Sequence, residues 1–320
     1  MCVDGMKTVV LGMGGTIAGQ AGDARDNVGY VAGALPVERL TAGLPGLAGL
    51  PLDVESVAQI NSKDIDLSHW QALLQRLTHH LARPDVSGAV VTHGTDTIEE
   101  TAWLLDAVLP ADKPVVLTCA MRPASSVSPD GPQNLTDAVA LARTPGARGV
   151  MLVCASRVHV GRDVAKVHPY RTDPFSSGDA GALGVVEEGV LRRFRPWPGE
   201  ASPDDLARRE RRRAALLDAS ALPRVALLTS HGDADGAVVE VLCRSGVVSG
   251  IVVAGTGNGS LHHDLQAALA AAASAGVAVR LASRCGHARV VPYAGQAFAT
   301  LDAATPAQAR LALALDLLGG

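Results

Sequence analysis

Two kinds of apolar pattern alternate along the chain. Short apolar runs, rich in β-branched residues, fall at 8–11, 54–60, 89–92, 115–118, 150–153, 225–229, 251–254 and 277–282. Between several of them, 67–81, 99–109, 134–142, 261–273 and 306–318 repeat apolar residues at the spacing of one helix face. A strand without polar alternation is buried on both faces, the condition of a parallel sheet covered by helices. Such strands alternating with helices predict an α/β protein.

The rhythm breaks between 191 and 222, where the chain becomes rich in Pro, Arg and acid. This predicts a larger N-terminal domain over 1–195, a linker over 196–222 with a solvated helix face, and a smaller C-terminal domain over 223–320. The expected larger domain holds a mostly parallel sheet with helices on both faces. The arginines of the break are interleaved with Glu200, Asp204, Asp205 and Glu210, which argues against a nucleic-acid patch.

Composition narrows the partners. The chain has 320 residues, 48% apolar and 19% charged, with a net charge of −4, so nothing global attracts nucleic acid or an anionic membrane. Its Ala-rich stretch over 267–279 is shorter than the ~20 apolar residues of a spanning helix. Five widely spaced cysteines, Cys2, Cys119, Cys154, Cys243 and Cys285, read as reduced core thiols of a cytoplasmic protein. No Cys/His spacing suits a zinc site, and His262-His263 reads as surface or capping residues. Lysine occurs only at Lys7, Lys63, Lys113 and Lys166, which draws attention to each.

In α/β sheets chemistry gathers at the C-terminal ends of strands. The first strand ends in Gly12-Met13-Gly14-Gly15-Thr16-Ile17-Ala18-Gly19, which has neither the dinucleotide spacing nor the lysine of a phosphate loop. Thr16 is there either a nucleophile or the capping residue of a tight turn. A polar, glycine-rich stretch over 20–34 follows, reads as a lid, and carries Tyr30, a candidate proton relay. The third strand ends in His93-Gly94-Thr95-Asp96-Thr97. Helix capping accounts for Thr-Asp-Thr, but not for a second glycine-hydroxyl tip in the same sheet. Lys166, in a polar turn, is either a solvated charge or a partner that orients Thr95 and Asp96 and activates a hydroxyl.

Gly14-Gly15-Thr16-Ile17-Ala18 and His93-Gly94-Thr95-Asp96-Thr97 resemble the two signatures of the bacterial-type L-asparaginases, the asparaginase/glutaminase amidohydrolases. The resemblance continues in order through Ala120-Met121-Arg122-Pro123, Asp130-Gly131-Pro132-Gln133-Asn134-Leu135, Gly161-Arg162-Asp163-Val164-Ala165-Lys166 and Gly255-Thr256-Gly257-Asn258-Gly259, across both expected domains. It implies a flavodoxin-like parallel sheet in the smaller domain and an enzyme that needs no metal or cofactor. Thr16 is then the nucleophile that forms an acyl-enzyme, with Tyr30 hydrogen-bonded to it. Thr95, Asp96 and Lys166 form a second set that activates nucleophile or water. Asp96 faces the α-ammonium of a small amino-acid substrate, Ser62 its α-carboxylate, and the N–H groups of Thr95 and Ala120 the oxyanion.

Some positions depart from the family pattern. Lys63 stands where Gln is common, and pairs with the substrate carboxylate, with a nearby acid, or with solvent. Ser260, which ends the glycine motif, is implied to reach a neighbouring subunit's site. After Ser283-Arg284 no acid occurs before Asp302, where many members carry a Glu, which implies a looser hold on the α-ammonium. The expectation is a cytoplasmic homotetramer, a dimer of intimate dimers, that hydrolyses L-asparagine to L-aspartate and ammonia. The alternatives are a preference for L-glutamine, D-asparagine or another ω-amide, and a catalytically weak amino-acid-binding module.

Overall fold

The short apolar runs form the centres of two sheets. A computed structural model describes residues 5–110, 112–198, 201–286 and 289–319; Cys2 and His287 lie outside the described residues. By contacts the chain divides into a unit up to residue 209 and a unit from 210 onward.

The first unit runs β1 (Lys7–Gly14), α1 (Val37–Thr41), β2 (Leu52–Ile60), α2 (Leu67–Leu81), β3 (Val86–Thr92), α3 (Ile98–Val108), β4 (Pro114–Thr118), α4 (Gly131–Ala142) and β5 (Gly149–Cys154). Then come β6 (Arg157–Val160), the short hairpin β7 (Ala165–Lys166) and β8 (Phe175–Ser176), β9 (Gly184–Glu187) and β10 (Val190–Arg193). Strand order in the large sheet is β10-β9-β6-β5-β4-β3-β1-β2. From β2 to β5 every pairing is parallel. The three strands added beyond β5 pair antiparallel, so the sheet is mixed. Each has only four residues, too few to set up a readable period, and β10 is largely exposed.

Alternation within the buried strands sorts the core. Val10, Val90, Val116 and Met151 meet Leu135, Ala138, Val139 and Ala142 of α4 on one face. Their neighbours Val9, Leu11, Ala89 and Val91, equally buried, point to the other face. There α2 and α3 pack on β2, β3 and β5. Helix α2 starts where Asp66 accepts a hydrogen bond from the His69 N–H, and it buries Trp70, Leu73, Leu74 and Leu77.

Helix α5 (Pro203–Asp218) occupies much of the segment expected as a linker, and the boundary between the units falls inside it. The second unit continues with β11 (Val225–Thr229), α6 (Ala237–Ser245), β12 (Gly250–Gly255), α7 (His263–Ser274), β13 (Ala278–Ser283) and α8 (Pro306–Gly319). Its three strands are parallel, in the order β11-β12-β13. Ile251 and Val253 face Val239 of α6 and Leu265 and Leu269 of α7. Val252 faces Ala309 and Leu313 of α8. No described helix is long and apolar enough to cross a membrane.

Connectivity places the crevice. From β1 the chain moves to one neighbour, β2, and then returns to the other side for β3. The strand order reverses between β1 and β3, and an open α/β sheet binds its ligands outside such a reversal, at the carboxyl ends of the strands. The two expected tips, after Gly14 and after Thr92, are the ends of these two strands.

Candidate active site

Gly15 and Gly94 bring the two tips into backbone contact. A Cβ on Gly15 would lie 2.3 Å from the Gly94 Cα, and the φ of Gly15 is +81°. Only glycine satisfies both demands. Thr16 follows and opens a single 3₁₀ turn, and it is buried.

The 20–34 segment folds back over this turn. Gln20 and Val31 exchange backbone hydrogen bonds of 3.0 and 2.8 Å, and the Gly33 N–H donates to the Gly15 carbonyl. This puts the Tyr30 hydroxyl 2.5 Å from the Thr16 Oγ1. The Tyr30 ring lies against Gly19, where an added Cβ would meet its Cδ2 at 2.8 Å. Across from the lid, Ser125 accepts from the Ala21 N–H and Ser126 donates to Asn27, so the segment rests on the loop after β4.

The β3 tip carries the second set. Lys166 Nζ donates to the Thr95 Oγ1 at 2.8 Å and to Asp96 Oδ1 at 2.7 Å. Its backbone N–H donates to a Glu99 carboxylate oxygen at 2.5 Å, which ties the β7–β8 hairpin to the start of α3. Ser62 is buried beside Gly94; its Oγ accepts from the Asp96 N–H and its carbonyl from the Thr97 hydroxyl.

The β4 tip closes the site. Ala120, fully buried, packs with Ile17 and Ala18 of the turn that follows β1. Asp130 accepts from the N–H groups of Met121 and Arg122, and Asn134 donates to the Cys119 carbonyl while accepting from the Ala155 N–H. These bonds fix the loop that presents Ala120. The N–H groups of Thr95 and Ala120 meet no acceptor among the described residues, although both residues are buried. A backbone N–H without an internal acceptor is open to a ligand, and these two lie at the ends of neighbouring strands, β3 and β4.

The chain matches known proteins over nearly its whole length. The "Asparaginase, N-terminal" family matches residues 7–197, and the "Glutaminase/Asparaginase C-terminal domain" matches 224–319. The chain belongs to the bacterial-type L-asparaginase family. L-asparaginase 2 of Bacillus subtilis (strain 168) is 32% identical to it over 314 residues, 96% of this chain and 81% of that protein. L-asparaginase 2 of Escherichia coli (strain K12) is 36% identical over 278 residues, 86% of this chain and 77% of that one. The crystal structure of a probable cytoplasmic L-asparaginase from Campylobacter jejuni superposes with a TM-score of 0.86 at 31% identity, covering 98% of this chain and 95% of that one.

In this family member, Thr16, Tyr30, Ser62, Thr95, Asp96, Ala120 and Lys166 all gather at the ends of β1, β2, β3 and β4 or on the segments folded over them. Lys63 does not join them: its exposed ammonium pairs with Asp64 at 3.0 Å. Ser260 is exposed in the second unit, on the loop after β12. Cys119 and Cys154 are buried, and the neighbouring Cys154 thiol together with burial pushes the Cys119 thiol up, which makes it a poor nucleophile. Cys243 is half-buried on α6 and Cys285 is exposed, so the core expectation holds for the first pair only. His262 caps α7, its Nδ1 accepting from the Asp264 N–H. Asp130, Asn134 and His93 were visible in the sequence only as letters of motifs. Their hydrogen bonds run to backbone groups of loops at strand ends and, for His93, to the buried Thr101 hydroxyl, and spacing does not encode those.

Proposed function

We propose that the protein hydrolyses L-asparagine to L-aspartate and ammonia through a threonine acyl-enzyme. The contact between the Thr16 and Tyr30 hydroxyls, beside two unclaimed N–H donors, is the observation that carries this reading. Thr16 Oγ1 attacks the side-chain amide carbon and its proton passes through Tyr30 toward the leaving nitrogen. The amide C–N bond breaks, ammonia leaves, and an ester links the aspartyl group to Thr16. Water then cleaves the ester, returning the proton to Thr16. The N–H groups of Thr95 and Ala120 hold the oxyanion in both steps.

Lys166 donates to Thr95 Oγ1, so the hydroxyl's own proton points elsewhere and the group is poised to activate nucleophile or water. The carboxylate of Asp96 receives the α-ammonium and Ser62 the α-carboxylate. Lys63, paired with Asp64, contributes at most a positive field at the carboxylate end.

We extend the reading to a cytoplasmic homotetramer of intimate dimers, in which the 223–320 region completes a neighbour's site through Ser260. The exposed apolar side chains of Leu227, Val238, Val241 and Val247 support self-association. Sedimentation together with a Ser260→Ala variant tests this: a monomer with full activity overturns it.

The chemical test is ammonia release from L-asparagine, L-glutamine, D-asparagine and other ω-amides, with Thr16→Ala and Lys166→Met as controls. L-asparagine is expected to give the highest kcat/KM. Unchanged turnover in Thr16→Ala overturns the nucleophile assignment. Tight asparagine binding without ammonia establishes a binding module instead.

A further inference from the structure

A hydrogen-bond chain outside the reaction itself ends on the peptide that carries an oxyanion donor. Trp70 Nε1 on α2 donates to Thr101 Oγ1 on α3 at 3.0 Å. Thr101 Oγ1 lies 3.0 Å from His93 Nε2, and His93 Nδ1 lies 2.8 Å from the Gly94 carbonyl oxygen. The directions follow from chemistry. An indole nitrogen only donates, so the Thr101 oxygen accepts and its proton goes to His93 Nε2; a carbonyl only accepts, so His93 Nδ1 carries the hydrogen. All three side chains are buried, and burial lowers the pKa of His93 to about 4, so the ring is neutral near pH 7.

We propose that His93, held in its Nδ1–H tautomer by Thr101 and Trp70, is a positioning residue that aims the Thr95 N–H at the reacting oxygen. The proposal rests on the reading of Thr95 N–H as an oxyanion donor. The Gly94 carbonyl and the Thr95 N–H are opposite ends of one planar trans peptide, so a bond that fixes the first fixes the second. The lock matters here because Gly94 has no side chain to restrict its ψ and lies against Gly15. On either side the loop is already held, by the His93 N–H on the Thr118 carbonyl and the Asp96 N–H on Ser62. Without His93 the one peptide left to swing would be the one that faces the oxyanion.

The test compares Thr101→Val, which removes the hydroxyl, with Thr101→Ser, which keeps it, and reads the His93 ring by 15N NMR. The wild type is expected to show His93 as the neutral Nδ1–H tautomer, the less common form in free imidazole side chains. Thr101→Val is expected to lose that signature and to lower kcat about tenfold with KM unchanged, less than the 10²–10³ lost with an oxyanion donor. Thr101→Ser is expected to stay within about twofold of wild type, because the hydroxyl proton is kept. An Nε2–H tautomer in the wild type overturns the proposal, even if Thr101→Val does not fold. So does a Thr101→Val enzyme with unchanged kcat, or with KM raised and kcat kept. If Thr16→Ala is inactive in the same assay while Thr101→Val is unaffected, the His93 proposal alone fails. Turnover persisting in Thr16→Ala overturns the acyl-enzyme reading and leaves the His93 tautomer measurement standing.

Discussion

The molecule has glycine-hydroxyl loops after parallel strands in both units, and they differ in what their hydroxyls touch. In the second unit, the loop after β12 closes on itself. Thr256 donates its N–H and its hydroxyl to the Ser260 carbonyl, the Ser283 hydroxyl donates to the Gly257 carbonyl, and Asn258 exchanges hydrogen bonds with the Val291 backbone. In the first unit, Thr16 meets a tyrosine hydroxyl and Thr95 a lysine ammonium. The difference follows from topology. The order β2-β1-β3 reverses, so the loops after β1 and β3 leave toward opposite sides, whereas β11-β12-β13 advances in one direction and has no reversal. A threonine after a glycine becomes chemical when a proton-handling partner reaches it from another segment.

Four measurements break or sharpen this contrast. The largest effect is expected from Thr16→Ala, which should lower kcat by at least about 10³-fold, whereas Thr256→Ala should leave kcat within about threefold and act on KM. Equal losses in the two variants would erase the distinction. Next, Lys166→Met should cost about 10²–10⁴ in kcat, the usual range for a proton-handling group, with the fold intact by circular dichroism. A loss confined to KM would make Lys166 a binding residue only.

A smaller effect separates two glycines. Gly19→Ala puts a Cβ against the Tyr30 ring and should lower kcat about tenfold by moving that hydroxyl off Thr16. Gly257 has φ +49° and open space around its position, so Gly257→Ala should cost only about 1 kcal/mol of conformational strain and little activity. Urea unfolding and steady-state rates, measured together, would decide between these outcomes.

The last measurement is pH dependence. Burial lowers the pKa of His93 and of His159, each to about 4, while His231 and His263 in the second unit are exposed and His262 is half-buried. Between about pH 4 and 6.5 the unfolded chain binds protons that these two folded histidines refuse. Their contribution to stability is therefore present above pH 6.5 and is lost as pH falls toward 4. Unfolding of His93→Gln and His159→Gln should show a shallower loss over that window than wild type; an unaltered slope would contradict the assignment.

Much of the fold was legible because burial on both faces leaves a plain trace. The run at 251–254 falls within β12, buried along its whole length, and 67–81 coincides with α2, whose apolar positions are fixed by period. Strands β6, β9 and β10 were not legible: four residues define no period, and antiparallel pairing at the margin of a sheet needs no continuous apolar run. For the site, Thr16, Thr95, Asp96 and Lys166 stood out by their place at strand ends or in a turn. The direction of Lys63 did not, because an adjacent acid captures an exposed ammonium at little cost.

The sequence alone determined the class of fold, the strand tips that bear hydroxyls and the family, since each depends on residue type in order along the chain. Which hydroxyls meet partners was decided only in three dimensions. The return of Tyr30 to Thr16 joins residues 14 positions apart, and the path from Trp70 through Thr101 to His93 takes steps of 31 and 8. A hydrogen bond depends on separations of about 3 Å and on donor direction. Those are set by how packed helices and strands place the backbone, and no local pattern of residues specifies them.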